Sequence, residues 1–90
     1  MSITFDKVIR RYENRKLYNT TDSKYVSTAD VLDMVVLGQK VQVLANVGGE
    51  NVIRSVLFSA LFEKSRLTSV DDKTIVDLAQ KVTNYFNGGI

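Results

Sequence analysis

The spacing of apolar residues changes character at Ser27, and that change sets the fold class. Before it, apolar and β-prone residues come in short runs, Val8–Tyr12, Arg15–Tyr18 and Lys24–Val26. These runs are parted by Glu13-Asn14 and by Asn19-Thr20-Thr21-Asp22-Ser23, which are polar, turn-forming types. Tyrosines at 12, 18 and 25 suit pleated positions with one apolar face and one wet end. After Ser27 the period becomes helical. Ser27 and Asp30 make a capping-box pattern, Ala29, Val31, Leu32, Val35 and Val36 recur at helical spacing, and Gly38 can end the helix in the left-handed conformation. Alternation returns over Val41, Val43, Ala45 and Val47. The turn Asn46–Gly49 follows, and Glu50–Ile53 can pair back. Two further helical periods close the chain. Val56, Leu57, Phe58, Ala60, Leu61 and Phe62 carry one; Ile75, Leu78, Ala79, Val82 and Phe86 carry the other, behind a Ser69/Asp72 capping pattern. Asp71, Asp72 and Asp77 favour the positive end of that last helix, and Asn87-Gly88-Gly89 stops it. The pattern predicts a single compact α+β domain over 1–90. A small antiparallel sheet is expected from 8–26 and 41–53, with three helices near 28–37, 54–64 and 71–86.

Composition removes most enzyme chemistry. The 90 residues include no Cys and no His, which excludes disulfides, thiol nucleophiles, imidazole catalysis and zinc sites of the Cys/His type. Ser55, Ser59 and Ser65 have no His to activate them. Asp71-Asp72 reads as acid at a helix N-terminus rather than as a metal pair. Val47-Gly48-Gly49-Glu50 lacks the Lys-Ser/Thr pair of a phosphate loop and reads as a hairpin turn. No catalytic residue, cofactor or metal is expected, and the protein is not expected to be an enzyme. No apolar run approaches the ~18 residues of a membrane span. The N-terminus, Met1-Ser2-Ile3-Thr4-Phe5-Asp6, lacks the pattern of a secretory signal, so a cytoplasmic location is expected.

The net charge of +2 hides an asymmetry. Lys7, Arg10, Arg11, Arg15, Lys16 and Lys24 face only Glu13 and Asp22 within residues 7–25, a local net of +4, while residues 26–90 are near neutral. A cationic N-terminal third points to an anionic partner. Its densest part, Arg10 to Tyr18, holds four basic residues, Asn14 and two tyrosines. Guanidinium groups pair with phosphate or the guanine edge, Asn pairs with adenine, Tyr hydroxyls reach phosphate, and a two-stranded ribbon fits a major groove. Arg10, Arg11, Tyr12, Asn14, Arg15, Lys16, Tyr18 and Lys24 are therefore the candidate DNA-binding residues. A solvated basic face whose tyrosines belong to the core is the plain alternative, and these residues alone leave both open. Asn14 has two readings as well, a base reader or a cap on its own turn. The apolar stripe of the second helix is too wide for one neighbour in so small a fold. Phe58, Leu61, Phe62, Ile75, Val82 and Phe86 are accordingly expected to form a homodimer seam.

The run Ile9-Arg10-Arg11-Tyr12-Glu13-Asn14-Arg15-Lys16-Leu17-Tyr18-Asn19-Thr20 resembles the signature of the polyhydroxyalkanoate synthesis repressor family at its N-terminal DNA-binding region. That signature is basic-Tyr-x-Asn-Arg-basic-Leu-Tyr-Asp/Asn-Thr. The resemblance continues through Ser23–Ser27, the helix ending at Gly38, and Gly49-Glu50-Asn51-Val52-Ile53-Arg54-Ser55-Val56-Leu57, covering about residues 8–64. Asn51 stands where the family usually has Asp, and Ile53 where it usually has Thr. The helix over 69–86 lies beyond the resemblance, and family members are longer, with a polymer-granule-binding region. The resemblance implies transcriptional regulation through double-stranded DNA in a bacterial cytoplasm, with repression of storage-polymer genes. A module that docks a protein partner or a storage-granule surface is the alternative from another class.

Overall fold

A computed structural model describes residues 4–88. Four strands and three helices follow one another as β1 (Lys7–Arg11), β2 (Leu17–Asn19), β3 (Lys24–Val26), α1 (Thr28–Val36), β4 (Val41–Ala45), α2 (Ile53–Ser65) and α3 (Asp72–Asn87). The fold is α+β, with one sheet in the order β3-β2-β1-β4. β1 pairs antiparallel with β2, and β2 with β3. β4 runs parallel to β1 from Lys7↔Val41 to Arg11↔Ala45. The sheet is therefore mixed, which corrects the antiparallel expectation. Alternation in Val41–Ala45 specifies a face but not a direction. Direction comes from α1, which carries the chain back so that β4 starts beside the start of β1, the crossover that a parallel pair requires.

The ends of the helices are made as their residue types demand. Ser27 accepts from the Asp30 amide while the Asp30 carboxylate accepts from the Ser27 amide, a complete capping box. Gly38 has φ 90°, and the bonds Gly38 N–H to Val35 O and Gln39 N–H to Met34 O close α1 in a Schellman motif. The cap of α3 is Asp71, whose carboxylate accepts from the Thr74 amide, two residues on from the expected Ser69. After β4, Gly48 and Gly49 turn the chain at φ 88° and 67°. The expected return strand shrinks to one bridge, Leu44↔Asn51, because the chain enters α2 at Ile53.

All three helices cover one face of the sheet. On that face Ile9, Leu17, Val41 and Val43 meet Val31, Leu32 and Val35 of α1, Val56, Leu57 and Ala60 of α2, and Val82 of α3. Val82 is 1% exposed. It fills the core between α3 and the rest, so it leaves the set expected at a dimer seam. Leu61 and Phe86 are half-buried against the same core. The outer edge of β4 is closed as well. The Tyr85 hydroxyl donates to Val41 O at 2.6 Å and accepts from Val41 N–H at 3.0 Å. Asn51 Oδ1 accepts from Val43 N–H, Val52 N–H donates to Val43 O, and Ala45 N–H donates to Glu50 O. These contacts occupy backbone groups that would otherwise recruit another strand.

Candidate nucleic-acid interface

The cationic ribbon is held by two unlike turns. In the first, Arg15 N–H donates to Tyr12 O at 2.9 Å and Tyr12 N–H donates to Lys16 O at 2.9 Å, closing a three-residue hairpin loop over Glu13-Asn14-Arg15. Arg15 has φ 66°, the left-handed position where such loops usually place Gly. A non-glycine residue there costs about 1 kcal/mol. Asn14 Oδ1 accepts from the Lys16 amide at 3.1 Å. The side chain thus caps its own turn while one lone pair of Oδ1 and the Nδ2 donors stay available.

The second turn is built on Asn19, the one polar residue fully buried among the described residues. Its Oδ1 accepts from the amides of Thr21 and Asp22, both at 3.0 Å, and its Nδ2 donates to Asp22 Oδ2 at 2.9 Å. Thr20 and Thr21 stitch this turn to Val8 of β1. Lys7 Nζ reaches Asp22 Oδ2 at 2.7 Å. The Lys7 ammonium, joined by Asn19 and Lys24, holds the Asp22 carboxyl below the usual carboxylate range.

The predicted site residues do not form one patch. Lys24 pairs in register with Asn19, at the Asp22 end of the sheet, whereas Arg11 and Leu17 pair beside the Asn14 turn. Lys24 therefore lies at the opposite end from Arg15 and Lys16. Arg10, Lys16 and Tyr18 stand on the face free of helices, with Lys16 Nζ 5.8 Å from the centroid of the Tyr25 ring. Tyr18 and Tyr25 meet edge to face at 5.0 Å. Arg11 and Arg15 line a cleft of about 410 Å³ between the hairpin and the helices, walled by Thr28, Ser55 and Ser59, and Arg15, in the turn, also borders a depression with Lys16 and Tyr25. Among the described residues none of Arg10, Arg11, Arg15 and Lys16 is in an ion pair. Tyr25 and the cleft hydroxyls were not singled out as site residues by the sequence; only the strand register shows which neighbours the ribbon has.

In this small α+β domain the hairpin presents four cations, Arg10, Arg11, Arg15 and Lys16, that have no ion-pair partner among the described residues. Residues 8–67 match the family model described as the PHB/PHA accumulation regulator DNA-binding domain, and the chain belongs to that family. It is 37% identical over 59 residues to an uncharacterized protein of Allochromatium vinosum and 32% identical over 59 residues to an "uncharacterized protein in phbA 5′region" of Thiocystis violacea. Each match covers 66% of this chain, and 39% and 43% of those relatives. The chain thus spans about two fifths of their length. No solved structure gives a significant match. The family is one of DNA-binding regulators rather than of enzymes. No helix among the described residues is long and apolar enough to cross a membrane.

The departures from the family pattern fit the geometry. Asn51 uses its Oδ1 alone, accepting from the Val43 and Ile53 amides, which a carboxylate does equally well. Ile53 is 4% exposed and belongs to the core.

Proposed function

We propose that the protein is a repressor-like transcriptional regulator of storage-polymer genes that binds double-stranded DNA as a homodimer in a bacterial cytoplasm. The observation that carries this reading is the family match over residues 8–67, which includes the four cations of the hairpin that have no ion-pair partner among the described residues. Arg10, Arg11, Arg15 and Lys16 supply most of the affinity. Tyr12 and Tyr18 are structural or phosphate-facing. Asn14 contributes through its turn and, with its amide donors and second Oδ1 lone pair, is a candidate base reader.

The dimer rests on α2 and α3. Phe58 and Phe62 are 53% and 64% exposed, and Val76 beside Ile75 on α3 is 65% exposed. The guanidinium groups of Arg54 and Arg66 lie over Phe86 and Phe62 at 5.5 and 5.7 Å. An apolar patch of this kind marks an interface, and two-fold symmetry matches a palindromic operator. A module docking a protein or a granule surface has the same patch in its favour. Salt separates the two readings, because phosphate contacts release counterions and apolar docking does not.

The test is an electrophoretic shift against the DNA upstream of the protein's own gene, at two salt concentrations. Affinity is expected to fall steeply with salt, and a folded variant with Arg10, Arg11, Arg15 and Lys16 all changed to Ala is expected to lose binding. Unchanged affinity in that folded variant would make the ribbon a solvated face and hand the function to the docking module.

A further inference from the structure

The register sorts the hairpin's side chains onto two faces, and the faces differ in kind. Tyr25 of β3 stands opposite Tyr18 of β2, Tyr18 opposite Arg10 of β1, and Arg10 opposite Leu44 of β4. Paired residues on neighbouring strands share a face, so these four form a row across the whole sheet. Val8 and Gln42 form the next row. On the other side Tyr12, bonded through its amide to Lys16 O, and Asn46, bonded through its amide to Arg11 O, continue the face beyond the strands. Tyr12, Asn14, Tyr25 and Asn46 line one shallow depression there, bordered by Glu13. Every fully buried sheet residue, from Ile9 to Val43, lies on the helix side instead. Among the described residues no element covers the row of Tyr25, Tyr18, Arg10 and Leu44. Tyr25 is 64% exposed on it.

We propose that this open sheet face is the surface that lies against the DNA duplex, with Tyr25 and Asn46 as contact residues outside the basic string. The inference rests on the DNA-binding reading above and says where on the domain that binding happens. Charge favours it: Arg10 and Lys16 project from these rows, and the nearby carboxylates, Glu13 and Glu50, lie at the Asn46 end of the face rather than in the rows. Shape favours it too. Strands lie about 4.8 Å apart, so the backbones of β1, β2 and β3 span about 10 Å, close to the ~12 Å width of a major groove. Tyr18 of β2 sits at the centre of that span, with Arg10 of β1 at one edge, where a guanidinium can reach a guanine edge or a phosphate. Tyr25 of β3 stands at the other edge, with the Lys16 ammonium 5.8 Å from its ring centroid, and Val8 and Leu44 offer apolar contact. The cleft holding Arg11 and Arg15 is concave and about 410 Å³ in volume. It can admit a single phosphate group but not the curved surface of a duplex, so Arg11 and Arg15 act from the rim.

Two double variants test this, because each removes two positive charges from the same hairpin, one pair from the open face and the other from the cleft and its rim. Arg10→Gln with Lys16→Gln is expected to weaken binding at least tenfold more than Arg11→Gln with Arg15→Gln, measured by fluorescence anisotropy on the duplex the wild type prefers, with thermal melts showing that both are folded. Asn46→Asp places one negative charge on the open face. Among the described residues its side chain makes no hydrogen bond that the change would break, so folding is expected to be spared. It is expected to weaken binding about tenfold, while Thr68→Glu in the exposed connector between α2 and α3 leaves affinity within twofold. Equal losses in the two double variants, or a larger loss from Arg11 and Arg15, would overturn the assignment of the face and leave DNA binding standing. Unchanged DNA affinity in Asn46→Asp with loss of the dimer would give the face to a second copy, and also overturns it. A wild type with no salt-dependent affinity for any duplex would sink the DNA-binding reading itself.

Discussion

Asn19→Ala is the substitution whose cost follows most directly from the structure. Asn19 is 0% exposed and makes three hydrogen bonds, two from the amides of Thr21 and Asp22 and one to the Asp22 carboxylate. Alanine removes all three and leaves two backbone donors aimed at the gap. If water enters the gap, the loss is about 1 kcal/mol per bond, near 2 kcal/mol for the two amides; if the gap stays dry, each orphaned donor costs up to about 3 kcal/mol. The expected loss is therefore roughly 2–6 kcal/mol, a large share of the ~5–15 kcal/mol of an ordinary domain. In a domain of this size that lowers the melting temperature by at least about 8 °C. Urea unfolding followed by circular dichroism measures it.

Asn19→Asp makes the sharper control. It keeps the acceptor for both amides but sets a second carboxylate against Asp22 Oδ2, which Asn19 now approaches at 2.9 Å. Two carboxylates so close cannot both ionise easily, so one pKa rises. A raised folded-state value gives stability that is present at low pH and lost as pH climbs through it. In the wild type the Asp22 value is lowered, chiefly by Lys7, so its contribution is present above 3.8 and lost as pH falls below that. The variant should therefore gain stability relative to wild type on acidification. A loss below about 1 kcal/mol for Asn19→Ala, or an Asn19→Asp variant that titrates like the wild type, would refute the account of this turn.

Three further outcomes are expected. Arg15→Gly relieves the left-handed backbone at φ 66° and should stabilise the fold by about 0.5–1 kcal/mol while weakening DNA binding, a split visible by running melts and anisotropy on one preparation. Tyr85→Phe removes both hydroxyl bonds to Val41 and should cost about 1–2 kcal/mol. Because burial raises the Tyr85 phenol above 10.0, wild-type stability should be intact below that pH and decline as pH rises through the raised value; in the variant the Tyr85 share of that decline should vanish from alkaline unfolding curves. Phe62→Lys changes a side chain that is 64% exposed, so it should leave the melting temperature of the isolated fold nearly unchanged while light scattering reports monomers in place of dimers.

Much of the fold was legible because its signals are local. Ser27 with Asp30, Gly38 after α1 and Gly48-Gly49 after β4 act through bonds within a few residues, and each does what its type predicts. What was not legible is long-range. The direction of β4, the clamp of Tyr85 on Val41 and the burial of Val82 depend on which elements meet, and hydrophobic alternation carries no such information. Phe58 and Val82 illustrate the limit on helices: both belong to apolar stripes, yet one is 53% and the other 1% exposed. The stripe on α2 is wider than the core it faces, whereas Val82 sits at the middle of the narrower stripe on α3.

The candidate site was legible as a string and illegible as a surface, for a reason that lies in the strand itself. Successive side chains on a strand point to opposite faces, so Arg10 and Arg11, adjacent in sequence, cannot both lie flat on one partner. The same rule joins residues far apart in the chain. Arg10 shares its row with Tyr25 and Leu44, fifteen and thirty-four positions away. Clustering of charge in sequence therefore locates the hairpin but overstates the size of the patch, because half of the cluster is turned toward the helices. The same clustering also understates the patch's chemistry, because its third tyrosine and Asn46 arrive through the register from other strands. A cationic β-hairpin is better read as two half-patches from the start. The half facing away from the core is the one with room for a macromolecule, and the half facing the helices is confined to what a cleft can hold.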